Sequence, residues 1–303
     1  MFSLKRVLSA VVVLTVASWG VSASAAPFNV GEAKCADCHK AEDAVFKKTK
    51  HAIMFREIHR KPEVKNIIAA AGGDANMRRN DTCTQCHFTM VAPNATTKPT
   101  AATGPSCESC HGPSSDWLPF HNATGDKAAR NQKAIAAGMI RPEMLYDIAT
   151  NCQECHGLSQ AGIKPETIVK MIDAGHPAGS NFELVQFLEG TVRHRFYPPN
   201  VNTNSEMTNA EKARMFIIGH AAALVREASS SGKVNHPKFV ETQKKIQTAA
   251  VAAIDAIKGQ VPEAAALLAQ PTDENARKLV DAIAKKDLTA QVGSLLPAKN
   301  TYK

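Results

Sequence analysis

The chain is predicted to be mainly α-helical, with little regular core in its first two thirds and a helical bundle at its C-terminal end. Three observations predict this. Residues 201–303 contain no cysteine, much alanine, and clear helix starts with apolar faces at helical spacing. Residues 27–200 carry shorter helical patterns cut by Gly and Pro, with sparse apolar periodicity for their length. All eight cysteines lie in that stretch, in four copies of one pentapeptide, Cys-x-x-Cys-His.

The copies are Cys35–His39, Cys83–His87, Cys107–His111 and Cys152–His156. This is the attachment signature of c-type haem. The two sulfurs (Cys35 and Cys38, Cys83 and Cys86, Cys107 and Cys110, Cys152 and Cys155) each add to a porphyrin vinyl group. The histidine that follows is set under the ring to ligate iron. Competing uses of paired cysteines fit less well. Disulfides give no reason for a histidine after every pair, zinc ribbons do not call for it, and a thioredoxin-like motif would stand once in a βαβ context. Four covalently bound haem c groups are therefore expected. They also account for the weak patterning, because porphyrins supply much of the buried apolar surface.

In chain order, a helical pattern with Val45, Phe46, Ile53 and Ile58 follows the first motif. A short helix is expected from Pro62 to Ala71, ended by Gly72-Gly73. Residues 90–104 are rich in Thr, Pro and Ala and read as loop. The third motif lies between Pro105 and Gly112-Pro113. Helix is expected from Arg130 to Ile148 with breaks near Gly138 and Pro142, then from Pro165 to Ala174 and from Phe182 to Leu188. After Tyr197-Pro198-Pro199-Asn200 the composition changes. Thr208-Asn209-Ala210-Glu211 is a capping box, and Pro237 suits a first helical position. Shorter helices are expected over Glu263–Ala269 and Asp273–Lys286. The domain division is thus 1–26, 27–200 and 201–303.

Residues 1–26 read as a secretory signal peptide: Lys5 and Arg6, an apolar run from Val7 to Val21, then small residues to Ala26. The apolar run is too short to prefer a membrane span, and no later stretch approaches that length. A soluble, exported, periplasmic mature chain with no integral membrane segment is expected. The formal charge of +8 falls to +6 without Lys5 and Arg6. Two propionates on each haem offset most of the rest, so nucleic-acid binding has no support.

The distal side of each iron decides the chemistry. Two protein ligands saturate the iron and suit electron transfer, whereas one leaves it open to a small molecule. Of the eleven histidines, seven lie outside the motifs. His51 sits in a helix start flanked by Ile53 and Phe55. His121 follows an aromatic run and lies too near His111 to fold back easily onto the same iron. His176 ends an amphipathic helix before Pro177. These three are the favoured distal ligands. His194 lies between Arg193 and Arg195, where propionate binding by the arginines competes with ligation. His59, His220 and His236 read as a solvated, a packed and a helix-start residue.

The segments Lys34–Lys40, Thr49-Lys50-His51-Ala52, Lys61–Lys65 and above all Gly104–Pro113 with His121 resemble the cytochrome c-554 family of multihaem cytochromes, over roughly residues 30–180. The resemblance does not reach the alanine-rich C-terminal region. It implies helical packing with haems in close pairs, and three bis-histidine haems served by His51, His121 and His176. It further implies that the haem of His87 lacks a distal protein ligand. The expected function is carriage of single electrons between redox protein partners in a respiratory chain. The alternative is an enzyme acting on a small nitrogen or sulfur species at an open His87 haem. Under a third reading the C-terminal bundle is a docking module.

Overall fold

A computed structural model describes residues 26–180 and 182–303, so nearly all of the expected signal peptide lies outside the described residues. The fold is mainly α, with a single two-stranded sheet among the described residues. The first motif spans α1 (Glu32–Ala36) and the start of α2 (Lys40–Phe46), and α3 (Lys50–Glu57) follows. One continuous helix does not form there, because the Thr49 side chain accepts from the Ala52 N–H and starts α3 afresh. The next helix, α4 (Val64–Ala71), ends where Gly72 takes φ +72°, a conformation open to glycine without a Cβ clash.

The second motif lies on α5 (Asp81–His87), capped by the Asn80 side chain. Residues 90–104, expected as loop, contain most of a small antiparallel sheet of β1 (Thr89–Val91) and β2 (Thr100–Thr103). Four residues in a strand are too few for period-two alternation to stand out in the sequence. The sheet links the second motif to the third. Thr89 Oγ1 lies within 3.2 Å of Gly104 O, Ser106 Oγ and Ser109 Oγ, on either side of the start of α6 (Cys107–His111). Then come α7 (Lys127–Ala136) and α8 (Leu145–His156), the latter ending in the fourth motif. Two helices, α9 (Pro165–Asp173) and α10 (Leu184–Leu188), complete this half.

The C-terminal region folds as α11 (Asn209–Ser230), α12 (Pro237–Asp255), α13 (Pro262–Ala269), α14 (Asp273–Ile283) and α15 (Thr289–Val292). The capping box is formed: Thr208 and Glu211 each bind the other's backbone N–H. Pro237 takes the first helical position. Helix α11 is buried over much of its circumference, as a central helix must be. On one side it meets Ile254, Leu267, Leu279 and Ile283 of the bundle. On the other it meets Tyr146 and Ala149 of α8 with Leu184 and Val185 of α10. The main core therefore crosses residue 200, where composition changes but packing does not break. Two smaller cores, around Ile168 and Phe239 and around Ile58 and Phe88, flank it.

Candidate haem centres

All four motifs open onto one cavity of about 1100 Å³. Its wall includes the eight cysteines, the four motif histidines, and His51, His121, His176 and His194. The motifs are held there from several directions. Asn151 on α8 donates to Cys110 O (3.2 Å), and His111 O accepts from Ile140 N (2.9 Å). Gly112 at φ +83° packs against Gly138 O so closely that a Cβ would collide with it.

Each motif histidine faces one distal histidine. The ring centres stand 6.5 Å apart for His39–His121, 6.1 Å for His51–His156, 6.1 Å for His87–His176 and 6.2 Å for His111–His194. An imidazole nitrogen binds a first-row metal at about 2.0–2.1 Å, so two rings on opposite sides of one ion stand about 6 Å apart, centre to centre. The observed spacing is that of axial pairs.

The hydrogen bonds orient these rings in the way ligands need. His111 Nδ1–H donates to Ile140 O (2.7 Å), His121 to Leu118 O (2.9 Å), His176 to Pro177 O (2.8 Å) and His194 to Val192 O (2.6 Å). His156 Nδ1 is 3.0 Å from Ser180 Oγ. A donor hydrogen bond at Nδ1 leaves Nε2 as the lone-pair nitrogen, the usual arrangement around a metal. Burial pushes the His87 and His156 rings down to about 4, with nearby His176 and His51, respectively, adding to the effect. Burial also lowers His51, His111 and His176. The neutral form, which ligates metals, is thus favoured.

The remaining walls suit a porphyrin. Phe182 lies over the His156 ring at 4.7 Å, with Phe187 beside it, and Trp117 meets His121 edge-on at 5.4 Å. Buried N–H groups at Trp117 Nε1, Arg193 Nε and Arg195 Nε lack protein partners, and all three residues line the cavity. Donors of this kind match carboxylates such as haem propionates. Among the described residues no three His, Cys, Asp or Glu side chains converge as a closed zinc cage would require.

One expectation is corrected here. The His87 ring is not open: Gly175 at φ +105° turns the chain after α9 and brings His176 across from it. The fourth facing histidine is His194, for which the sequence left ligation and propionate binding by its flanking arginines both open; it faces His111. Those arginines pair through their terminal nitrogens, Arg193 with Glu189 and Glu206 and Arg195 with Glu211, while their Nε–H groups lack protein partners. The signal available was the count itself, since four saturated irons need four distal ligands. Of the rest, His59 is exposed, His220 meets Phe216 edge-on, and His236 pairs with Asp173 at 3.2 Å.

The motifs also touch one another through sulfur. Cys35 lies beside Cys107, Cys110 beside Cys152, and Cys155 beside Cys86. These contacts arrange the attachment sites in a single file: first, third, fourth, second.

A mainly helical chain with Cys-x-x-Cys-His helices around a shared, histidine-lined cavity has the arrangement expected of a c-type cytochrome. Comparison with known proteins agrees. Residues 34–112 match the family described as cytochrome c554 and c-prime. Cytochrome c-554 of Nitrosomonas europaea is 28% identical over 162 residues, which cover 49% of this chain and 66% of that protein. Both place the similarity to the cytochrome c-554 family in part of the chain, and the chain spans just under two thirds of that relative's length. No solved structure matches it significantly. Among the described residues no helix is long and apolar enough to cross a membrane.

Proposed function

We propose that the chain is an exported, periplasmic tetrahaem electron-transfer protein that carries single electrons between two redox protein partners in a respiratory chain. The observation that carries this reading is the set of four facing histidine pairs at 6.1–6.5 Å. Bound haem supplies one-electron chemistry at iron. The chain supplies the rest. His39, His87, His111 and His156 would hold the iron on one side, and His121, His176, His194 and His51 respectively on the other. Two protein ligands for each iron would leave no coordination site for a substrate, which disfavours the enzyme reading. The backbone carbonyls at Nδ1 keep the rings in place as charge moves, and the apolar walls limit water. The file of sulfur contacts puts the first and second motifs at its two ends, where partners would meet it.

The test is the purified holoprotein. Alkaline pyridine spectra should give four haem c per chain. EPR of the oxidised protein should show low-spin iron throughout, and carbon monoxide should leave the reduced spectrum unchanged. A high-spin component that binds carbon monoxide in wild-type protein would overturn the saturated reading.

A further inference from the structure

The third motif is Cys107-Glu108-Ser109-Cys110-His111, and its second residue is not filler. Glu108 is only 4% exposed. Its Oε1 accepts from Val30 N (2.9 Å), Ser114 N (2.9 Å) and Ser114 Oγ, and its Oε2 accepts from Gly31 N (2.8 Å). Four hydrogen bonds converge on its two oxygens, three of them from backbone N–H groups, an environment suited to an acceptor-only carboxylate. A glutamine would turn an N–H₂ group toward N–H donors. Among the described residues no Lys or Arg forms a salt bridge with Glu108, so the charge is hydrogen-bonded but not neutralised.

The donors come from residues that directly precede α1. Gly31, at φ +99°, is the N-cap of the helix that carries Cys35. The same segment is tied to Ser115 through Phe28 N (3.0 Å) and Phe28 O (3.1 Å). Glu108 thus holds α1 against α6, where the Cys35 and Cys107 sulfurs meet. The carboxylate lines the cavity shared by the first and third motifs, close to Cys35, Cys38 and His39 as well as to its own site.

We propose that Glu108 is a positioning and potential-setting residue shared by the first and third haems: it fixes their helices together, and its buried charge favours the ferric state of both. The inference rests on the reading of these motifs as haem sites. A buried anion stabilises the iron state with one more positive charge and lowers the midpoint potential, burial and hydrogen bonding being two of the protein's levers on haem.

The experiment is spectropotentiometric titration of the holoprotein and of two variants, after a pyridine haem count. Glu108→Gln keeps the shape and removes the charge. Two of the four midpoints, those perturbed by His121→Ala and His194→Ala, should rise by about tenfold in the reduced-to-oxidised ratio, which is about 59 mV for one electron. Ser114→Ala keeps the charge and removes one hydrogen bond that spreads it, so the same two midpoints should fall. Opposite signs distinguish an electrostatic role from loosening of the packing, which would move both variants alike. Midpoints unmoved in both variants, moved in the same direction, or moved equally for all four haems would overturn the proposal. If Glu108→Gln fails to assemble four haems, Ser114→Ala decides alone: a fall supports it, no change or a rise overturns it. Fewer than four haems in the wild-type protein would instead count against the reading of the sites.

Discussion

Replacing His176 with alanine tests the histidine pairs at the point where this chain departs from what its resemblance implies. The His176 ring stands 6.1 Å from His87 and is held by its own Nδ1–H bond to Pro177 O (2.8 Å) and by His176 N to Met171 O (2.9 Å). Alanine keeps the backbone bond to Met171 O and removes the imidazole together with its bond to Pro177 O. Four pairs of nearly equal spacing divide the iron equally, so about a quarter of the low-spin signal should convert to high spin. Carbon monoxide binding to the reduced protein should rise from zero to about one per chain, one iron having lost its second protein ligand. His176→Met should stay largely low-spin while raising one midpoint, since methionine ligation raises haem potential. His59→Ala, at an exposed residue, should change neither spectrum. Optical titration with carbon monoxide and EPR read all of these. An unchanged low-spin spectrum with no gas binding in His176→Ala would refute the axial assignment at His87.

Three further outcomes are expected. Gly104→Ala would drive a Cβ into the His51 carbonyl oxygen and push that ring off the His156 axis; a high-spin component assigned to the fourth haem checks this, and a wild-type spectrum rejects it. Truncation after Asn200 removes α11 and uncovers Tyr146, Ala149, Leu184 and Val185. It should cost the fourth haem and solubility, whereas a soluble fragment with four haems would favour an independent docking module. His220 is held at about 4 by burial, below its unfolded value of about 6.5, so the unfolded chain takes up the proton first. Stability should therefore be intact above pH 6.5 and fall as pH drops toward 4, by up to about 3 kcal/mol. Melting temperatures at both ends of that window should converge more closely in His220→Gln than in the wild type.

Local chemistry was readable in the sequence and long-range order was not. The capping box at Thr208–Glu211, the proline start of α12 and the glycine end of α4 are set within four residues, and each appears where expected. The break at Thr49 was missed because a threonine that caps a new helix looks, in a periodic apolar pattern, like one more helical position. The sequence left His194 and its flanking arginines in even competition, because the juxtaposition of His194 with His111 exists only in the fold. The change at Asn200 marked a shift in composition, and composition does not reveal that α11 shares its core with α8 and α10.

The spatial order of the motifs is the clearest case of information carried only by tertiary contacts. In the chain they run first to fourth, yet the sulfur contacts run Cys35–Cys107, Cys110–Cys152 and Cys155–Cys86. Two devices produce this order. The β1–β2 sheet, with Thr89 bound to Gly104, Ser106 and Ser109, folds the third motif back beside the second without bringing their sulfurs into contact. Glu108 then captures Val30 and Gly31 from 77 or more residues upstream and seats α1 on α6. The third motif is therefore flanked by the first and the fourth, and the second is left at the far end. Cys38 and His39 are exposed at the other end, with the His39 side chain 55% accessible, while His87 is partly buried. The two ends are thus unlike, and a file whose ends differ in accessibility favours different partners at each. If so, anionic and cationic small oxidants should show different rate ratios at the two terminal haems, and equal ratios would remove the asymmetry as a basis for partner choice.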